Sequence, residues 1–202
     1  IERRSIVRVS PPRLRALVEG TSGVLDLSIS LEALAGDAVQ AVQWLATRAS
    51  QTWRATLPPA SKGLFRGRIT IPDVALWWPH THGEPALYEL RLSVRLQGDA
   101  APIEIDLGAT GFRRLEVDTS EGDFAWRVNG ESVFVRGACW SGVDALRLTG
   151  TPQAYRDAVA QAADAGMNML RVCGTMVYED DAFLDACDAL GVLVWHDLMF
   201  AN

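Results

Sequence analysis

The sequence lacks several things that would announce a function outright. Cysteine occurs only at Cys139, Cys173 and Cys187, an odd number without zinc-site spacing, so neither a disulfide framework nor a metal centre is expected. Positive charge is scarce. With 19 Lys and Arg against 25 Asp and Glu the formal net charge is -6, which argues against a nucleic-acid partner or an anionic membrane surface. No window approaches the roughly 18 uninterrupted apolar residues of a membrane span. The opening "IERRSIVRVSPPRLR" has charges where a signal peptide has an apolar core. Because the sequence begins at Ile1 rather than at an initiator Met, the natural N-terminus is expected upstream, and the compartment stays open. Nor does "RGACWSGVDAL" contain the G-x-G-x-x-G turn of a dinucleotide fold, so no cofactor is called for.

What is present is ordinary globular material, 49% hydrophobic and 22% charged. The first half alternates with period two. In "ALYELRLSVRL", Tyr88, Leu90, Leu92, Val94 and Leu96 fall on one face, and Glu89, Arg91, Ser93 and Arg95 on the other. "PIEIDLG", "GVLDLSISL" and "GRITIP" repeat the pattern, with Gly and Pro clusters such as "LPPASKG" between them. Short alternating strands in series predict an antiparallel sandwich over residues 1–111. "LEALAGDAVQAVQWLATRA" has helical composition, but it lacks caps and Gly36 interrupts it, so it is read as strands.

After residue 112 the pattern changes. "DFAWRVNGESVFVRGACW" reads as a hairpin turning at Asn129 and Gly130, followed by a buried strand. Thr151 and Pro152 start a helix with a Tyr155, Val159, Ala162 and Ala163 stripe, and Gly166 stops it. "MNMLRVC" is a strand, "EDDAFLDACDALG" a helix ending at Gly191, and "VLVWHDLMF" another strand. Nearly continuous apolar strands alternating with helices predict a parallel sheet covered by helices over residues 112–202. Closing such a sheet as an eight-stranded barrel takes about 250 residues. A barrel reading therefore makes this chain part of a longer one.

Four stretches, "LWWPHTHGEPALYELRLSV", "GFRRLEVD", "VNGESVFVRGACW" and "AGMNMLRVCGTMVYEDDAFLDACDALGVLVWHDLMFA", resemble consecutive pieces of glycoside hydrolase family 2, its beta-mannosidase branch in particular. The resemblance implies an immunoglobulin-like sandwich, then the first three strands and two helices of a catalytic (β/α)8 barrel. It further implies a retaining exo-acting hydrolase of terminal beta-linked sugars, beta-mannosides first, in which one glutamic acid protonates the leaving oxygen and a second attacks the anomeric carbon. The family carries the first of these just after an asparagine. No "NE" dipeptide occurs here, so the catalytic residues are expected beyond Asn202 and the 202 residues alone are expected to be inactive. The competing reading is a non-catalytic carbohydrate-binding or scaffolding module with a degenerate barrel.

Candidate substrate-binding residues are Arg171, Asp197, Trp140 and Cys173. Arg171 alternates onto the face of Met169 and Cys173, where a guanidinium needs a carboxylate or carbonyls. The resemblance puts an arginine near the sugar at this position. Asp197 ends a strand on the face of Leu193 and Trp195, as a sugar-hydroxyl contact or as half of a structural ion pair. Trp140 is either a stacking platform or core. The branch reads "RVWGGG" where this chain has "RVCGTM" and "RGANW" where it has "RGACW", so Cys173 replaces a tryptophan and Cys139 an asparagine at the expected rim. A Cys139 to Cys173 disulfide is conceivable. Glu179, Asp180 and Asp181 read as helix capping, His80 and His82 as turn chemistry, and His196 as facing the helix layer. The expected partner is a carbohydrate, and the open edges of an incomplete sheet predict self-association through the second half.

Overall fold

In the computed structural model, which describes residues 7–33, 38–98, 101–122 and 124–201, the strictest alternation in the sequence is buried as written. Tyr88, Leu90, Leu92, Val94 and Leu96 are all at most 2% exposed. They lie on β8 (Leu87–Leu96), which follows β1 (Val7–Val9), β2 (Arg13–Glu19), β3 (Ser22–Ala33), β4 (Val39–Arg48), β5 (Gln51–Thr56), β6 (Pro59–Ser61) and β7 (Leu64–Ile71), and precedes β9 (Ile103–Gly111). Antiparallel pairing builds two sheets. One runs β1-β3-β7-β6 with β2 also on β3, and the other runs β5-β4-β8-β9. Their apolar faces supply the core of an all-β sandwich, with Leu25, Ile29, Trp44 and Ile71 fully buried. Tyr88 meets Phe112 edge to face at 5.1 Å. Asp26 and Arg68, opposite each other on β3 and β7, form a bidentate pair at 2.7 and 2.8 Å. The stretch read as strands is β3 and β4 as expected, while Gly36 lies outside the described residues.

The chain divides into two compact units, Ile1–Val74 with Tyr88–Phe112, and Ala75–Leu87 with Arg113–Asn202. Chemistry explains why residues 75–87 go with the second unit. The fully buried Trp77 donates its indole N–H to the Asp188 carbonyl at 2.7 Å. Its ring carries the Arg113 guanidinium at 4.4 Å from the centroid, and its own carbonyl accepts from Asn129 Nδ2 at 3.0 Å. The His80 N–H donates to the Gly191 carbonyl at 2.9 Å, and its ring Nε2 meets the Met167 carbonyl at 2.9 Å. His80 and His82 do turn and hydrogen-bond work, as expected.

The second unit starts with β10 (Leu115–Asp118), β11 (Ala125–Val128) and β12 (Glu131–Val133), an antiparallel set. Asn129 and Gly130 take φ of 53° and 88°, the two positive values that a tight two-residue hairpin turn requires. Then come β13 (Gly137–Trp140), α1 (Pro152–Asp164), β14 (Met169–Val172), α2 (Asp181–Leu190) and β15 (Leu193–His196). β13, β14 and β15 pair in parallel in that order. Thr151 caps α1 by accepting from the Ala154 N–H at 3.2 Å, and Tyr155 and Val159 are its buried residues. Both helices cover one face of this sheet, packing on Trp140, Leu170 and Val172. Trp77, Val128 and Val133 cover the start of the other, over Met169 and Leu193.

Candidate functional site

Strand alternation sorts the parallel sheet into two chemically different faces. Trp140, Leu170, Val172 and Val194 point to the helices. Residues of opposite parity, among them Cys139, Met169, Arg171, Leu193 and Trp195, share the other face, because the register sets Cys139 opposite Arg171 and Arg171 opposite Trp195. That face is closed at the strand starts and open at their ends: Met169 is 5% exposed and Leu193 3%, whereas Trp195 is 42% exposed. The open end is where side chains of neighbouring parallel strands converge on a ligand.

An ion pair organises it. Arg171 donates from Nη2 to Asp197 Oδ2 at 2.8 Å and from Nε to Oδ1 at 3.4 Å, a fork grip between neighbouring strands. The Gly174 N–H adds a bond to Oδ2 at 3.3 Å. The Arg171 hydrogen bond is the main reason that the Asp197 carboxyl sits below its ordinary range, and Asp197 in turn holds Arg171 more firmly protonated. At pH 7 both are charged. The side chains remain 48% and 22% accessible, so lone pairs and N–H groups are left for a polar ligand. Beside them stands an aromatic group. The Arg171 guanidinium lies 5.7 Å from the Trp195 ring centroid, and Trp195 contacts Trp126 at 6.2 Å and Phe124 at 6.4 Å. Charged forks next to an exposed aromatic face suit a ligand with many hydroxyls and apolar C–H patches. Among the described residues no group of three or more metal-ligating side chains occurs.

Of the four residues singled out from the sequence, Arg171, Asp197 and Cys173 come together on this face. Trp140 does not. It is 8% exposed on the helix side, 4.7 Å from Phe183, because it immediately follows Cys139 and adjacent strand residues point oppositely. Its indole N–H donates to Glu179 Oε1 at 2.6 Å. That bond also corrects the capping reading for Glu179. Glu179 Oε2 accepts from the Tyr155 hydroxyl at 2.8 Å, and Asp180 accepts from the Thr149 hydroxyl at 2.6 Å while making no side-chain capping bond. Glu179 thus clasps β13 to α1, while Asp180 is the N-cap residue of α2 and Asp181 lies in its first turn, both at the positive helix end. His196, whose strand face is that of the helices, is exposed there and stacks on Tyr178 at 5.2 Å. The three cysteines are free thiols.

Three residues escaped the sequence reading. Trp126 and Phe124 build the aromatic flank from the hairpin, and nothing in their spacing pairs them with Trp195. Asn168 is the fully buried polar residue among the described ones. Its Oδ1 accepts from the Arg136 N–H at 2.9 Å, and its Nδ2 donates to the Phe134 carbonyl at 3.0 Å and the Thr81 hydroxyl at 3.2 Å. An amide at the mouth of an apolar strand was the available signal.

Comparison with known proteins agrees with the motifs. The description "Glycosyl hydrolases family 2" matches residues 16–113. Beta-mannosidase B of Aspergillus niger is 38% identical over 143 residues, 69% of this chain and 17% of that protein. Beta-mannosidase B of Aspergillus fumigatus is 32% identical over 176 residues, 85% of this chain and 21% of that protein. The chain thus spans about a fifth of the length of these curated relatives. Among solved structures, Beta-D-Mannosidase from Dictyoglomus thermophilum superimposes with a TM-score of 0.72 at 28% identity, over 96% of this chain and 24% of that one. Exo-chitosanase CsxA of Amycolatopsis orientalis shares the fold at a TM-score of 0.73 and 23% identity, over 96% of this chain and 23% of its own. The motifs, the family match and these likenesses agree: the chain belongs to the glycosyl hydrolases of family 2.

Proposed function

We propose that the polypeptide containing these residues is a retaining, exo-acting beta-glycosidase whose substrate is a terminal beta-mannoside. The observation that carries this reading is the identity with beta-mannosidase B enzymes, which extends over most of the chain. In this reading the sandwich is the family's immunoglobulin-like domain, and β13, α1, β14, α2 and β15 open a (β/α)8 barrel. The two carboxyl groups of the mechanism lie beyond residue 202, one protonating the leaving oxygen and one attacking the anomeric carbon at about 5 to 5.5 Å separation.

The residues present have a positioning task. Asp197, ionised and held by Arg171, accepts hydrogen bonds from sugar hydroxyls, and Arg171 offers its remaining N–H groups to sugar oxygens. Trp195 gives the ring an apolar wall, and Cys173 borders the same space. Fixing the sugar in this way lowers the entropic part of the barrier that the two carboxyl groups then act on.

Hydrolysis of aryl beta-mannoside, glucoside, galactoside and glucosaminide by residues 1–202, beside the natural polypeptide containing them, tests the proposal. Hydrolysis of the mannoside by the longer polypeptide alone is expected. Turnover by the 202 residues refutes the location of the carboxyl groups, and preference for another sugar refutes the mannoside.

A further inference from the structure

The outer face of the sandwich's first sheet concentrates positive charge in a chain that has little of it. Arg13 and Arg15 on β2, Asp26 and Ser28 on β3, and Arg66 and Arg68 on β7 stand in two cross-strand rows, Arg13, Ser28 and Arg66 in one and Arg15, Asp26 and Arg68 in the other. All four arginines are exposed, whereas Leu27, of opposite parity between the two rows, is buried in the core. Four Arg against one Asp give a local net charge of +3 on a chain whose net charge is -6. Long side chains stand on the two flanking strands and short ones between them, which makes an open trough of about 470 Å³ with arginine walls and a floor of Asp26 and Ser28. The walls are two strand spacings apart, about 9.6 Å, and successive arginines of one wall are about 6.8 Å apart. The trough is wide enough for one extended chain lying along its floor.

The arginines are unequally engaged. Arg68 is committed to Asp26 through the bidentate pair, and that hydrogen bond is the main reason the Asp26 carboxyl sits below its ordinary range. Among the described residues, the Arg66 guanidinium reaches only the Ser28 hydroxyl, at 3.4 Å, and Arg13 and Arg15 enter no salt bridge. Three forks are left for an anion, and a guanidinium fork matches the two oxygens of a carboxylate. The six side chains of the trough are all polar. Single-stranded nucleic acid is held on aromatic platforms, and an added peptide strand needs pockets for alternate side chains; this trough supplies neither. It supplies forks at intervals with a hydroxyl between them, which suits a sugar chain that carries carboxylates. We propose that this trough binds an acidic polysaccharide of the uronate type, its carboxylates gripped by Arg13, Arg15 and Arg66 and its hydroxyls meeting Ser28. The site lies wholly within the sandwich unit. The proposal stands whether or not the polypeptide hydrolyses mannosides, because binding and not turnover reports it.

The test is titration calorimetry of the natural polypeptide containing these residues with oligogalacturonate, at low and at physiological salt. Binding that weakens as salt rises is expected, and the fully methyl-esterified oligomer, the same sugar chain without its charges, should not bind. An exposed pair contributes up to about fivefold in affinity, so the double variant Arg13→Ser with Arg66→Ser should bind about tenfold more weakly. Arg54→Ser with Arg91→Ser removes the same charge from the other sheet, where both residues stand opposite Leu45, and should weaken binding less than about twofold. Hydrolysis of aryl beta-mannoside should be the same in both double variants as in the wild type. No binding of oligogalacturonate, equal binding of its methyl ester, or equal losses in the two double variants would overturn the proposal. Polyglutamate of the same length binding as tightly would overturn the sugar and make the partner an acidic protein segment.

Discussion

Replacing Asn168 by Ala should unfold the second unit well below the temperature of the wild type, and the size of the effect follows from three hydrogen bonds. The side chain is 0% exposed, with Oδ1 on the Arg136 N–H at 2.9 Å and Nδ2 on the Phe134 carbonyl at 3.0 Å and the Thr81 hydroxyl at 3.2 Å. Thr81 keeps a second bond to His82 at 2.8 Å, so its loss counts for little. The two backbone groups are left unpaired, each costing about 1 to 3 kcal/mol. Phe134 and Arg136 are themselves exposed, which lets water reach part of that backbone and favours the lower half of the range. A loss of about 3 kcal/mol lowers the midpoint of a unit of about 100 residues by on the order of 15 °C. Thermal unfolding followed by near-ultraviolet circular dichroism reads the shift. Hydrogen exchange at the Leu193 amide, which donates to the Asn168 carbonyl at 2.8 Å, localises it. Asn168→Asp adds a sign. It keeps the acceptor for Arg136 but buries a carboxyl, whose folded pKa must rise above the usual value of about 3.9. The variant should therefore be least impaired at acidic pH and lose stability as pH rises from about 4 through the raised value. An Asn168→Ala midpoint within about 2 °C of wild type, with Leu193 equally protected, would refute the assignment of the buried amide as a structural tie.

Three further outcomes are expected. Gly137→Ala should cost more than about 3 kcal/mol and abolish soluble expression or sharply lower the urea midpoint, because a Cβ there would run into the carbonyl of Met169, its own ladder partner. Glu179→Gln should lose about 1 to 2 kcal/mol by replacing one of the oxygens that hold Trp140 and Tyr155. The Tyr155 hydroxyl, held above its ordinary range by burial and then by Glu179, should also ionise at lower pH in that variant, which ultraviolet titration reads. Arg171→Lys should weaken sugar binding in the natural polypeptide, raising KM about tenfold, because an ammonium cannot reproduce the fork. In the wild type, the contribution to stability of Asp197, whose carboxyl is held below its ordinary range, is present above about pH 3.9 and is lost as pH falls through the lowered value. A carbon-detected titration of Asp197 in wild type and Arg171→Lys checks this, since the carboxyl should move upward in the variant.

Local chemistry determines much of this protein from the sequence alone. The alternation in β8 selected its five buried residues, Asn129-Gly130 made the hairpin, Thr151 and Pro152 opened α1, and Gly191 ended α2 with φ of 68°. Each depends on neighbours within a few residues, so each was readable. Trp140, named from the sequence as a candidate at the substrate site, lies on the helix side instead, because adjacent residues of β13 point to opposite faces. The family motifs likewise survive as linear strings. What the sequence could not decide were pairings across long separations: Arg171 with Asp197, Glu179 with Trp140 and Tyr155, Trp195 with Trp126, and Trp77 with Asp188. Nothing in the sequence pairs Arg171 with one carboxylate, and the parallel register chose Asp197. The capping expectation for Glu179 failed for the same reason, because a carboxylate near a helix start is equally free to accept from distant donors that packing brings to it. Residues 75–87 belong with the second unit because Trp77 and His80 find their hydrogen-bond partners there. Composition and periodicity report which groups must be buried or paired, and only the tertiary structure selects which partner each one finds.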